Sequence, residues 1–274
     1  MCQNYTNVHP QISTFGNNRK FMRTFLITGA GSGIGRAAAQ VLAANSDVEL
    51  ILVGRNEQTL LQTLAILPTG NHRVASLDIR EKAEWRDFFS QKENQPANLC
   101  GVFANAGIGG ENHYGDDDRW DEIISINLNG TYTTIMECLP WMKKSQEAFK
   151  HIVITSSCLG RFGVPNYTAY CTAKTGLLGL TRALAVQLAS DKILVNAICP
   201  GWVDTEMARA GIQKLADRNN QSFEVGFNEQ MSFVPLNRIS APSEIGEMVN
   251  FLLSGKQNSM TGQGIDINNG SFMI

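Results

Sequence analysis

At 274 residues, 43% of them hydrophobic, the chain is long enough to bury a single sizeable core. Its 23 Lys and Arg against 25 Asp and Glu leave no basic surface of the kind that tracks nucleic-acid phosphates. No apolar run reaches the roughly 18 residues that would suggest a membrane span. The six cysteines, at 2, 100, 138, 158, 171 and 199, form no CxxC pair or Cys/His cluster, so neither a metal site nor a disulfide framework is expected. Reduced thiols suit a cytoplasmic protein.

Residues 1–22 are rich in Asn, Gln and Thr, lack the apolar segment of a signal peptide, and read as a flexible extension to one domain over 23–274. Residues 24–28 read as a short buried strand running into Gly29, Ala30, Gly31, Ser32, Gly33, Ile34 and Gly35. Ile34, Ala37, Ala38, Val41 and Leu42 then repeat at helical spacing. A second apolar run over 48–53 ends at Gly54 and Arg55, and 58–67 reads as helix. A strand over 72–77 ends at Asp78 and Ile79, with a helical segment through Phe89. The run 99–104 leads into Asn105, Ala106 and Gly107, and 116–141 reads as mostly helical, in two pieces around Asn129 and Gly130.

Residues 152–155 form an apolar run that lands on Ser156 and Ser157. Tyr170 to Lys174 opens a long amphipathic helix that would hold Leu177, Leu178, Thr181, Leu184, Ala185 and Leu188 against a core. The run 193–198 ends at Cys199, Pro200 and Gly201. Residues 205–238 show no sustained period and read as a substrate-loop insertion with short helices. A helix over 243–253 and a strand over 264–267 close the chain. Apolar strands alternating with helices imply an α/β, Rossmann-like doubly wound fold, its mainly parallel sheet covered on both faces. Ligands bind such sheets beyond the carboxyl ends of the strands, where the glycine turn, Arg55, Asp78, Asn105, Ser157 and Pro200-Gly201 all fall.

The glycine turn lets backbone approach a phosphate seated on a helix N-terminus, although its spacing misses the usual GxGxxG expression. Tyr170 and Lys174, four apart, share a helix face. An ammonium there is expected to lower the phenol's pKa and make it a proton donor and acceptor near neutrality, with a serine hydroxyl holding a substrate oxygen. Taken alone, YxxxK also suits an ordinary surface helix.

In order and spacing these residues resemble the short-chain dehydrogenase/reductase family, in its ordinary single-domain branch. TGxxxGxG is met by Thr28 to Gly35, NAG by Asn105, Ala106 and Gly107, and the helix asparagine by Asn127. The serine thirteen residues before Tyr170 is Ser157 rather than Ser156, YxxxK is Tyr170 to Lys174, and the PG motif is Pro200-Gly201 with Val203 and Thr205 after it. The resemblance covers 24–270. It implies that Tyr170 is the general acid in reduction and the base in oxidation, and that Ser157 hydrogen-bonds the substrate carbonyl. Lys174 would bind the nicotinamide ribose and depress the pKa of Tyr170, and Asn127 would order a water relaying protons to Lys174. The implied cofactor-binding set is Gly29, Ser32, Gly33, Ile34, Gly35, Arg55, Asp78, Ile79, Asn105, Ala106, Gly107, Tyr170, Lys174, Pro200, Gly201, Val203 and Thr205. Relatives pair through the helices matching 116–144 and 168–189, which implies a homodimer or homotetramer.

An acidic residue after the second strand would select NAD; Gly54 and Arg55 stand there instead, and a guanidinium suits the 2′-phosphate of NADP. The expected activity is interconversion of a ketone and a secondary alcohol with NADP in preference to NAD. Two rivals stand beside it. One is reduction of 3-oxoacyl thioesters on a carrier protein, weakened because the places of the carrier-binding arginines hold Leu139 and Val186, with Lys143, Lys144 and Arg161 nearby. The other is a dinucleotide-sensing regulator without turnover, which would have no need of the proton donor. Asp78 reads equally as an adenine contact or a strand-end cap. Asp116, Asp117 and Asp118 read as a helix N-terminus, His113 as a solvated loop residue, and Phe162, Tyr167, Trp202 and Met207 as pocket lining.

Overall fold

A computed structural model describes residues 22–273. The expected extension, up to residue 21, lies outside the described residues. Met22 belongs to the body, since its carbonyl accepts from the Asn98 amide at 3.4 Å. The first half runs β1 (Arg23–Thr28), α1 (Gly33–Ala43), β2 (Val48–Gly54), α2 (Glu57–Ala65), β3 (Arg73–Ser76), α3 (Lys82–Ser90) and β4 (Leu99–Ala104). Then come α4 (Trp120–Ile124), α5 (Thr131–Lys143), β5 (Lys150–Thr155), α6 (Thr168–Gln187) and β6 (Ile193–Pro200). The last part holds α7 (Glu206–Arg218), α8 (Phe223–Ser232), α9 (Pro242–Leu253) and β7 (Gly264–Ile267).

All neighbouring strands pair in parallel, in the order β3-β2-β1-β4-β5-β6-β7. Side chains alternate across the sheet. On β1, Phe25 and Ile27 join a core with Leu42 of α1 and Ile245, Val249 and Leu252 of α9, while Leu26 joins the opposite core with Trp85, Ile135 and Leu177. Two buried cores explain why these strands read as unbroken apolar runs. The chain passes from β1 outward to β3 and returns to β4 beside β1, so the loops after β1 and β4 part and open a crevice.

Residues 116–141 differ from expectation. The helix starts at Trp120, with the N–H of Trp120 donating to Asp118 Oδ1 at 3.0 Å, so only Asp118 of the three aspartates meets it. There is no break at Asn129-Gly130. A π-helical stretch, Ser125–Gly130, links α4 to α5, and the wider turn turns buried Asn127 toward the loop after β4. The insertion at 205–238 is α7 and α8, packed so closely that a Cβ on Gly226 would lie 2.7 Å from that of Ala216.

His151 on β5 is 4% exposed and its Nε2 has no partner. Burial first, and the Arg23 cation second, push its pKa from 6.5 down to about 4. A histidine depressed in the folded state contributes stability above its unfolded pKa, lost as pH falls from 6.5 towards 4. Wild type should therefore lose about 3 kcal/mol more than His151→Leu between neutral pH and pH 4. Urea denaturation of both across that range checks this; parallel curves would show that His151 is not the group taking up the proton.

Candidate active site

Every loop at the carboxyl edge of the sheet carries part of the site. Gly29 and Gly33 hold φ of +67° and +49°, conformations that L side chains rarely adopt. A Cβ on Gly35 would stand 2.1 Å from the Gly29 carbonyl oxygen. The turn is thus wound on itself, backbone outward, with exposed Ser32 at the cap position of α1 making no capping bond. Thr205, which caps α7 by accepting from the Ala208 N–H at 3.3 Å, lies over the turn: a Cβ on Gly33 would meet its methyl at 3.0 Å. This bare-backbone cradle at the start of α1 fits the pyrophosphate of a dinucleotide. Ile34, partly buried, packs against one core and buried Ile79 belongs to the other.

Thr28 and Asn105 stitch the crevice. The N–H groups of Asn105 and Ala106 donate to the Thr28 hydroxyl at 2.9 and 3.0 Å, and Thr155 donates to Asn105 Oδ1 at 3.0 Å. Gly107 leaves a gap between Asn127 and Lys174: a Cβ there would stand 2.7 Å from Asn127 Oδ1 and 3.6 Å from Lys174 Nζ. The Asn127 side chain accepts from the Ile108 N–H at 2.8 Å and donates to its carbonyl at 2.9 Å. Gly201 presses on Asn268, which a Cβ would approach to 2.9 Å, and Val203 is buried where it bridges to Ser240.

Ser157, Tyr170 and Lys174 come together. Ser157 is buried just after β5, and its hydroxyl accepts from the Leu159 N–H at 3.1 Å. Lys174 is buried, with Nζ 5.5 Å from the centre of the Tyr170 ring and donating to the Thr155 carbonyl at 2.8 Å. Burial pushes the lysine down to about 8. The expected depression of the phenol is not found. Burial pushes Tyr170 up to about 12, opposed by a hydrogen bond with Ser157. Desolvation of the phenolate outweighs any help from Lys174, whose charge faces the Thr155 carbonyl.

Beyond the end of β2, Arg55 is exposed after Gly54, and its guanidinium makes no hydrogen bond or ion pair among the described residues. Asp78 is held by Arg80, with Nε and Nη2 donating to its carboxylate at 3.0 and 2.6 Å. That bond, more than the charge of Arg55, keeps the Asp78 carboxyl below the usual range. Asp78 therefore closes its loop through Arg80, two residues on, within the reach of a local Asp-Arg fork.

On the substrate side, Tyr167 meets Tyr170 edge to face at 6.4 Å, Phe162 stacks on Phe272 at 5.3 Å, and Trp202 packs over Gly211. Met207 presses on Gly109, and Arg218, at the far end of α7, makes a two-pronged pair with Glu111, Nη1 to Oε1 at 2.6 Å. His113 is largely exposed, its Nε2 3.5 Å from Glu111. The Glu111–Arg218 closure joins residues far apart in sequence and left no local signal. A cavity of about 790 Å³ is lined by Asn112, His113, Tyr114, Asp118, Trp120 and Asn166 among others; none of Ser157, Tyr170 or Lys174 borders it.

Fold and site together define a Rossmann-type α/β oxidoreductase. Residues 29–271 match the family described as enoyl-(acyl carrier protein) reductase. The chain is 32% identical to the 3-oxoacyl-[acyl-carrier-protein] reductase FabG of Aggregatibacter actinomycetemcomitans, over 90% of this chain and 98% of that protein. It is 34% identical to oxidoreductase UcpA of Salmonella typhimurium, over 91% and 94% of the two chains. A variant of actinorhodin polyketide ketoreductase, solved with NADPH, superposes with a TM-score of 0.83 at 28% identity, over 91% and 97%. The chain belongs to the short-chain dehydrogenase/reductase family and acts on C=O/CH–OH groups.

Proposed function

We propose that the protein is an NADP(H)-dependent reductase of ketones to secondary alcohols, with Tyr170 as proton donor. The observation that carries this is the meeting of Ser157, Tyr170 and Lys174 at the sheet edge that holds the glycine cradle. A nicotinamide held in the crevice would supply the hydride. Ser157 orients the carbonyl oxygen toward the phenol, and Tyr170, kept protonated by burial, gives that oxygen its proton. Lys174 would hold the nicotinamide ribose and return a proton to the phenol. The side chain of Asn127 is committed to Ile108, so its main-chain carbonyl, which also accepts from the Thr131 hydroxyl at 2.8 Å, is the atom that orders the relay water.

The adenosine end is assigned to Arg55, with Asp78, Asn105, Ala106, Gly107, Pro200 and Gly201 along the crevice. Arg55 is accessible, no hydrogen bond or ion pair of its guanidinium is found among the described residues, and no carboxylate stands at Gly54 to repel a 2′-phosphate. A charge-assisted contact there is worth roughly 1.5–3 kcal/mol, or about ten- to a hundredfold in affinity. A panel of ketones and alcohols, followed at the nicotinamide absorbance band with each cofactor, tests the activity. Arg55→Ala should weaken NADPH by about that factor and leave NADH unchanged, and Gly54→Asp should reverse the preference. Equal weakening of both cofactors by Arg55→Ala would make the arginine a surface residue only.

A homo-oligomer, dimer or tetramer, and a cytoplasmic setting complete the proposal; among the described residues no helix is long and apolar enough to cross a membrane. A carrier-bound 3-oxoacyl substrate is the second reading, favoured by the likeness to FabG. Against it, Arg161 is engaged by Asp266 and the Gly264 carbonyl, and Lys143 by Asp191 at 2.8 Å. An enzyme with that role would reduce carrier thioesters far faster than free ketones.

A further inference from the structure

We propose that Asn112 is a positioning residue for Tyr170, acting as the missing cap of the helix that carries it. The inference rests on Tyr170 being the proton donor. α6 has no cap of its own: Tyr167 occupies the cap position and its side chain makes no capping bond. The first amides of a helix lack partners within it, and that of buried Ala169 would be left unmatched. Asn112 supplies the acceptor from the loop after β4, its Oδ1 taking the Ala169 N–H at 2.9 Å and the Thr168 hydroxyl at 3.1 Å. This is the work that an Asn at the cap position performs for its own helix, done here from 57 residues away.

The carboxamide is locked in that orientation. Its Nδ2 donates to Asp118 Oδ1 at 3.1 Å, and the same oxygen accepts the Trp120 N–H that starts α4. The N–H of Asn112 donates to the Asn166 carbonyl at 2.9 Å, and the residue is 7% exposed. With its N–H and both ends of its carboxamide matched, the residue joins the starts of α4 and α6 to the loop that begins at Asn105.

The two halves of the YxxxK pair are thus anchored separately. Lys174 is held from β5, through Nζ on the Thr155 carbonyl and the Ser156 hydroxyl on the Lys174 carbonyl, each at 2.8 Å. Tyr170 lies in the first turn, closed by the Cys171 N–H on the Tyr167 carbonyl at 2.8 Å, and that turn is tied by Asn112. Loosening it displaces the phenol from Ser157 and leaves the lysine in place. Proton transfer suffers; cofactor binding does not.

Asn112→Ala is expected to lower kcat by about tenfold while the Kd for NADPH stays within about twofold. Asn112→Asp keeps the acceptor for α6 but sets a carboxylate against Asp118, and should also be impaired. Adding Asp118→Asn, with its Oδ1 kept on the Trp120 N–H and its Nδ2 turned to the new carboxylate, restores one donor to one acceptor and should return kcat to within about threefold of wild type. A passive structural role would move the melting temperature of Asn112→Ala without this split between kcat and Kd and without rescue by the exchange. Tyr170→Phe is measured alongside: if it turns over normally, the assignment of the proton donor fails. If Tyr170→Phe is inactive while Asn112→Ala keeps wild-type kcat, or the exchange is no better than Asn112→Asp, the positioning role is overturned. Should Asn112→Ala fail to fold, the comparison of Asn112→Asp with the exchange decides alone.

Discussion

Tyr170→Phe is expected to lower kcat by about a thousandfold or more, the scale of a lost general acid, with the Kd for NADPH within about twofold of wild type. The change removes one oxygen and keeps the ring. The edge contact with Tyr167 and the approach of Lys174 Nζ to the ring both involve the ring rather than the hydroxyl, so the fold and the cofactor side have no reason to move. What disappears is the phenol proton, which burial holds in place with a pKa pushed up to about 12. Steady-state rates together with fluorescence titration of NADPH check the expectation. A loss smaller than about tenfold in kcat would show that another group delivers the proton.

Gly35→Ala should be the most damaging small change in the cradle. Its Cβ would stand 2.1 Å from the Gly29 carbonyl oxygen and 2.7 Å from the carbonyl carbon, with Asn105 Nδ2 at 3.0 Å. Backbone cannot swing aside as a side-chain tip does, and Gly29 is already fixed at φ +67°. The start of α1 must therefore lift from the end of β1, which would pull its amides away from a phosphate seated on them. A stability loss of about 3 kcal/mol or more is expected, with a fall in dinucleotide affinity of about a hundredfold. Gly31→Ala is the internal comparison. Its Cβ meets Thr59 Oγ1 at 2.3 Å, but that is a side-chain atom that can rotate at the cost of its 2.9 Å bond to the Asn56 carbonyl. Thermal denaturation and cofactor titration of both variants check the contrast; equal tolerance would show that the turn yields as a whole.

The sequence by itself determined the order of the elements, because each buried strand must be apolar on both faces and each covering helix on one. The runs at 99–104 and 264–267 coincide with β4 and β7, and the insertion at 205–238 contains short helices as read. It also determined which loops meet at the crevice, since a parallel sheet sends all its strand ends to one edge. Helical spacing put Tyr170 and Lys174 on one face, while the choice of Ser157 over Ser156 came from the family resemblance, which sets the serine thirteen residues before the tyrosine. Tertiary structure decided what depends on surroundings. The shift of Tyr170 is upward because desolvation, invisible in a four-residue motif, exceeds the effect of an ammonium that faces the Thr155 carbonyl. Helix continuity through Asn129-Gly130 was settled by a wider π turn that brings Asn127 to Ile108. The cap on α6 came from Asn112, because a hydrogen bond between distant segments leaves no periodicity in the chain and exists only once the loop after β4 is folded against the helix.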